Sequence, residues 1–202
     1  MKKFVVHEGI AAPLLHRDLN TDVVIRIERL VAEPRHTLGE FLFESLRFDP
    51  AGAPIPDFVL NRDGHREATI LIAGDNFGCG SSREGAVWAL ASFGIRCVIA
   101  PSFGEIFYNN CFQNGLLAVV LPPDEIQVLA QHAAAPARFT VDLERRRIVT
   151  PGNREIPFEI APARREALLE GLDGIGLTLK RKAAIEAFRH RDRVDRPWIH
   201  GA

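Results

Sequence analysis

A mixed α/β domain is what this 202-residue chain predicts, and three observations carry the prediction. Between residues 68 and 134, short apolar runs rich in β-branched residues alternate with helix-period segments, the pattern of parallel strands buried on both faces. After Pro136 the period changes to two, so antiparallel strands join that core. Apolar residues make up 47% of the chain and charged residues 25%, a globular balance that excludes disorder and allows one domain with a sizeable core.

Taken in order, the N-terminus predicts a short strand around Phe4–Val6 and then a loop. The apolar segment DVVIRI, residues 22–27, reads as a second strand, entered from DLNTD (18–22) through an Asx-type turn. Residues 48–66 hold three prolines and two glycines and predict a loop-rich surface connection. ATILIAG (68–74) is a buried strand. SSREGAVWALASFG follows as a helix, with apolar positions 86, 87, 90, 91 and 93 on one stripe and Gly94 as its stop. IRCVIA (95–100) is the next strand, GEIFYNNCFQNG a short helix ending at Gly115, and LLAVVLP a further buried strand. A helix starts near Pro123 and runs to about Ala134. RFTVDLERRRIVTPGNREIPFEI then forms a β-hairpin turned at Pro151-Gly152-Asn153. Two helices, Arg164 to about Leu172 and Lys180 to Arg189, close the pattern before a tail over about 190–202. Its apolar tip, Pro197-Trp198-Ile199, either packs back on the domain or anchors an interface.

The formal net charge is −1, which gives no general field for nucleic acid or anionic lipid. The basic clusters at 145–147, 164–165 and 180–182 are flanked by acids or helix formers and read as solvated faces. Neither a signal peptide nor a membrane-spanning run is expected, because His7 and Glu8 interrupt the apolar start. Cys79, Cys97 and Cys111 form no C-x-x-C pair. They predict neither a disulfide framework nor a complete iron–sulfur or zinc site in this chain, and they suggest a reducing cytoplasm. Cys97, inside IRCVIA, reads as a small buried hydrophobe. No histidines pair at metal-ligand spacing, and each reads as a surface or capping residue.

The candidate site is GDNFGCGSSREGA, residues 74–86. Ser81 and Glu84 have capping-box spacing, which predicts that Ser81 caps the helix. That leaves Ser82, Arg83 and the paired Gly78 and Gly80 unexplained. Glycine at both positions lets backbone amides approach a ligand, the helix start adds positive potential, and Arg83 offers a two-pronged donor. The phosphate-loop, dinucleotide and nucleophile-elbow patterns each fail by a residue. A small carboxylate is the best candidate, with one serine placed over a carbon-bound proton. Simple anion binding and structural capping stay open beside it.

The stretch GDNFGCGSSREGAVWAL…GIRCVIAPSFGEIFYNNCFQNGLL resembles the swivelling domain of the aconitase superfamily, and within it the small-subunit family of the isopropylmalate isomerases. HRDLNTDVVI, GLDGIGLTL (171–179) and the closing RPW extend the likeness over nearly the whole chain. The resemblance implies a three-layer β/β/α domain of the aconitase C-terminal type, spanning 1–202, with an added hairpin and C-terminal helices. It implies Ser81 as the base, and Ser82, Arg83 and Gly80 as binders of substrate carboxylate, with Gly78, Glu84 and Asp22 supporting them. Asp22 is expected to orient Ser81 or Arg83. The segment IERLVAEPRHTLGEF corresponds to the family's substrate-selecting region, so Ile27, Leu30 and Val31 are candidates to meet an isopropyl group and Arg26 or Arg29 a carboxylate. An equally plain reading makes that segment an amphipathic turn.

Many relatives carry histidine where this chain has Gly85. The resemblance further implies a large subunit bearing a [4Fe-4S] cluster, a small dicarboxylate substrate, and dehydration–rehydration of isopropylmalate via isopropylmaleate in leucine biosynthesis. Citraconate/methylmalate or homoaconitate chemistry is the alternative, and a non-catalytic carboxylate-binding module is the alternative of another class.

Overall fold

The computed structural model describes residues 1–200, and one curled seven-stranded sheet organises them. Its strands are β1 (Val6–Leu14), β2 (Ile70–Ala73), β3 (Cys97–Ala100), β4 (Leu117–Val120), β5 (Arg138–Asp142), β6 (Arg147–Val149) and β7 (Glu155–Pro157). The spatial order is β4-β3-β2-β1-β5-β6-β7. The β1–β4 half is parallel, and every residue of β2 and β3 is buried, as expected of strands covered on both faces.

β1 departs from expectation. In place of a three-residue strand and a loop, it runs nine residues and joins the two halves of the sheet. Val6–Ile10 pair antiparallel with β5, and Ala11–Leu14 pair parallel with β2. The predicted hairpin is the last part of a three-stranded meander, β5-β6-β7, because Arg146 takes a left-handed φ of 54° and reverses the chain once more before the Pro151–Asn153 turn.

The helices are α1 (Thr21–Val24), α2 (Ile27–Ala32), α3 (Glu44–Arg47), α4 (Gly85–Phe93), α5 (Glu105–Gln113), α6 (Pro123–His132), α7 (Pro162–Glu170), α8 (Gly174–Leu179) and α9 (Lys182–Asp195). DVVIRI is therefore not a strand. The Asn20 side chain accepts the Val23 N–H at 2.9 Å and starts a helical turn, a local cap that outweighs the β-branched run. Core burial still claims Val24 and Ile25. α4 ends as predicted, with Gly94 at φ 113°, but it starts at Gly85 and not in the Ser-Ser-Arg stretch, and Ala89 faces inward and Ala91 outward.

The proline-rich connection is less superficial than predicted. Phe58, Val59 and Leu60 enter the core, and the Asn61 amide donates to the Arg47 and Ile55 carbonyls at 2.6 and 2.9 Å. Two histidines are also interior. His65 is 2% exposed with Nε2 3.0 Å from the Ala133 carbonyl, and half-buried His7 lies 2.7 Å from the Thr69 hydroxyl. Burial, helped by Arg96, holds the His7 imidazole below its ordinary pKa.

At the C-terminus α9 continues to Asp195, past the predicted end at Arg189, and buries none of its residues. Trp198 is 73% exposed, so the tip does not pack back. Tail residues 201–202 lie outside the described residues. No helix among the described residues is long and apolar enough to cross a membrane.

The 3₁₀ turn Leu38–Phe41 sits hard against α4 through Gly39, whose N–H donates to Ser92 Oγ at 3.0 Å. A Cβ on Gly39 would lie 2.6 Å from the Phe93 Cα and the Ser92 carbonyl carbon, both backbone. Gly39→Ala should therefore cost at least ~2 kcal/mol, read as a lower urea midpoint. Gly52→Ala meets nothing within 4 Å, and should cost only about 1 kcal/mol for its positive φ.

Candidate active site at the glycine-rich loop

The loop leaves the carboxyl end of β2 at Gly74, the usual position for a binding loop on parallel strands. Its first turn is pinned by Ser102, whose hydroxyl donates to Asp75 at 2.5 Å and accepts the Asn76 amide at 2.9 Å. That hydrogen bond, with Arg17 at 3.3 Å, holds the Asp75 carboxyl below its usual range. Phe77 is fully buried edge-on against Phe107, ring centroids 5.4 Å apart. Gly78, at φ 72°, lies over the same ring: a Cβ there would fall 2.6 Å from Phe107 Cδ1.

The loop is then tied to the start of α1. The Gly78 amide donates to the Leu19 carbonyl at 2.8 Å, and the Thr21 amide donates to the Cys79 carbonyl at 2.9 Å. Gly80, at φ 98°, passes Asn20 so closely that a Cβ would sit 3.3 Å from the asparagine Cβ. These contacts bring Ser81 onto Thr21, hydroxyl to hydroxyl at 2.9 Å, with the Ser81 amide donating to Thr21 Oγ1 at 3.2 Å. One position on, Asp22 pairs through Oδ1 with Nη2 of Arg83. Asp22 therefore orients Arg83, one of its two predicted partners. Ser82 is exposed.

The predicted capping box does not form. α4 begins at Gly85 with Glu84 at the cap position, and Ser81 is four residues before the helix and engaged with Thr21. Glu84 accepts from the Asn114 amide at 2.5 Å. Asn114 in turn accepts from Arg35 at 2.6 Å, and Arg35 lies over the Trp88 ring. Ser81 is left free of the cap.

The α2 residues divide. Leu30 packs onto the start of α4, where a Cβ on Gly85 would meet both of its δ carbons at 2.5 Å. A side chain at 85 would require Leu30 to move aside, so glycine there lets Leu30 pack directly onto the helix start. Ile27 is 42% exposed, Val31 is exposed, and Arg26 lies 3.4 Å from Glu28. Arg29 is already spent on a carboxylate of this chain, bonding Glu44 at 2.5 and 3.1 Å and stacking over Phe41. Each partner stabilises the other's charge, the Arg29 pKa raised and that of Glu44 lowered. A cavity of about 660 Å³ is lined by Arg26, Glu40, Phe41, Glu44 and Phe48 among others, and by none of the Ser-Ser-Arg triplet. Thr21 and Ser102 escaped the sequence reading. Thr21 stands inside DLNTD, which reads as an Asx-type turn, and a turn threonine carries no sign of its contact with Ser81.

The cysteines do not fit a cluster. Cys97 and Cys111 are fully buried in the core, where burial pushes both thiols well above their ordinary pKa, against thiolate ligation. Among the described residues, no three His, Cys, Asp or Glu side chains gather to hold a metal.

A parallel sheet with an antiparallel meander and a Ser-Ser-Arg loop at one strand end defines a class, and the family comparison meets it. The aconitase C-terminal domain family matches residues 1–124, and LeuD_N matches residues 127–162. Across its full length the chain is 55% identical to a 3-isopropylmalate dehydratase small subunit of Rhodospirillum centenum. A small subunit of the same name from Paracoccus denitrificans is 49% identical over 98% of this chain and all of its own. Among solved structures, the 3-isopropylmalate dehydratase from Methanocaldococcus jannaschii superposes with TM-score 0.67 at 28% identity, covering 91% of this chain and 99% of that one. The chain belongs to the aconitase C-terminal domain family and, within it, to the small subunits of 3-isopropylmalate dehydratase.

In the native chain only Cys79, half-buried in the loop, should react with a thiol reagent within minutes, and all three thiols should react after unfolding. Mass spectrometry after brief iodoacetamide treatment checks this; rapid labelling of Cys97 or Cys111 would contradict the buried placement.

Proposed function

We propose that, joined to a large subunit, this chain interconverts 2- and 3-isopropylmalate through isopropylmaleate, with Ser81 as the base. The carrying observation is the placement of Ser81: directly after two glycine-enabled turns at Gly78 and Gly80, released from the helix cap, with the anchored Arg83 guanidinium two residues away. Arg83 gives one nitrogen to Asp22 and keeps other N–H donors of its planar fork for a substrate carboxylate. Ser82 adds an exposed hydroxyl, and Gly80 leaves the loop backbone unshielded by a side chain.

In the forward direction the Ser81 alkoxide takes the proton from the carbon next to the bound carboxylate. The C–H bond breaks, an O–H bond forms, and the electron pair left on carbon expels hydroxide from the adjacent carbon. Return of water with the opposite orientation gives the isomer. The cysteines of this chain do not fit a cluster; a [4Fe-4S] cluster on the large subunit would supply the Lewis acidity that the departing hydroxide needs. Gly78 and Glu84 support the loop through Phe107 and Asn114. In this reading Leu30, against Gly85, and the exposed Ile27 meet the isopropyl group, with Arg26 as the second carboxylate contact.

The same reading takes residues 1–202 as one swivelling domain that closes over the partner, because proton abstraction by an alkoxide needs a site shielded from water. It places the pair in the cytoplasm, in keeping with three free thiols. The names of the relatives favour isopropylmalate over citraconate or homoaconitate.

In the reconstituted complex, Ser81→Ala should lower kcat roughly a thousandfold with assembly and melting temperature little changed. Arg83→Lys keeps the charge but loses the fork, and should chiefly raise KM. Near-normal kcat for Ser81→Ala would remove the base assignment, and unchanged kinetics for Arg83→Lys the carboxylate assignment.

A further inference from the structure

Building on the assignment of Ser81 as base, the geometry points to Thr21 as the residue that makes Ser81 basic: its hydroxyl donates a hydrogen bond to Ser81 Oγ. The direction follows from proton accounting. Thr21 is 2% exposed, and its oxygen accepts the Ser81 amide at 3.2 Å. It carries one proton, and among the described residues the only acceptor within hydrogen-bonding distance is Ser81 Oγ at 2.9 Å. The opposite direction, Ser81 donating to Thr21, would strand a buried hydroxyl proton with no partner, which is unfavourable. Ser81 is only part-buried, so its own proton has an outlet toward the cleft.

Two consequences follow. The Ser81 proton points away from Thr21, to the side from which substrate arrives. A donor held against Ser81 Oγ also stabilises the alkoxide more than the alcohol, which lowers the pKa of the serine. Thr21 keeps its own proton throughout: Ser81 loses its proton to solvent, then takes the substrate's C–H proton, and the Thr21 O–H remains a donor in both states. Buried behind Ser81, Thr21 acts through it, as a positioning residue.

The position is built for this. Thr21 opens α1, whose first turn is fixed by the Asn20 cap, and its amide is held by the Cys79 carbonyl. Its hydroxyl is therefore set by backbone on both sides of the contact.

The test uses the reconstituted complex and the pH dependence of kcat for Thr21→Val, Thr21→Ala, Thr21→Ser and Ser81→Ala. A base works only when deprotonated, so loss of the donor raises its pKa and moves the acid limb of the profile to higher pH. For Thr21→Val we expect kcat to fall about 10- to 100-fold with KM within about twofold, and the limb to rise by about one pH unit. Thr21→Ala, which only shortens the side chain, should show the same shift if the valine variant does not fold. Thr21→Ser restores the hydroxyl and should restore both rate and limb. An unshifted limb in a folded Thr21→Val or Thr21→Ala variant, or no rescue by serine, overturns the role of Thr21. If Ser81→Ala retains turnover, the base assignment itself fails, an outcome distinct from either.

Discussion

Two backbone hydrogen bonds, Gly78 to Leu19 and Thr21 to Cys79, are the constraint on which the site depends. They stitch the loop after β2 to the first turn of α1, segments that sequence places some sixty residues apart. Each bond contributes on the order of 1 kcal/mol, little by itself. Their value is geometric, because a reciprocal pair fixes register as well as distance. With register set, Thr21 must face Ser81 and Asp22 must face Arg83.

Beneath the stitch lies an aromatic floor. Phe77 meets Phe103 and Phe107, Phe103 meets Tyr108, and Tyr108 meets Phe112, with ring centroids 4.9 to 6.4 Å apart. Gly78 lies flat on the Phe107 ring, so the loop is mounted on a packed surface although its own residues from 80 to 84 are not buried. A rigid mount under an accessible segment suits a group that must be placed accurately and still meet a second protein.

The parallel half of the sheet was legible because burial on both faces leaves an unbroken apolar run, as in ATILIAG and IRCVIA, and the glycine at 94 punctuated the helix between them. The N-terminal third misled for a physical reason. DVVIRI has strand composition, but a single asparagine cap and the partner loop decide its geometry, and both act through contacts that composition does not encode. The Ser81–Glu84 capping box failed in the same way, since Thr21 and Asn114 compete for the two side chains from distant segments. The triplet itself could be read in the sequence, and so could Asp22. Thr21 could not, because its importance lies in being buried beneath a hydroxyl.

The two-sided pairing of β1 also governs what happens at the ribosome. Residues 6–14 are synthesised well before their antiparallel partner: Val6–Ile10 have none until β5 is made, and β5 ends at Asp142. The N-terminal ammonium and the Phe4 amide wait longer still, for the carbonyls of Gly171 and Leu168. Through most of translation the nascent chain thus trails a strand with an unpaired backbone edge, the form most prone to pair with another chain. A fold that pairs this edge so late leaves it open to wrong partners until the meander has been made.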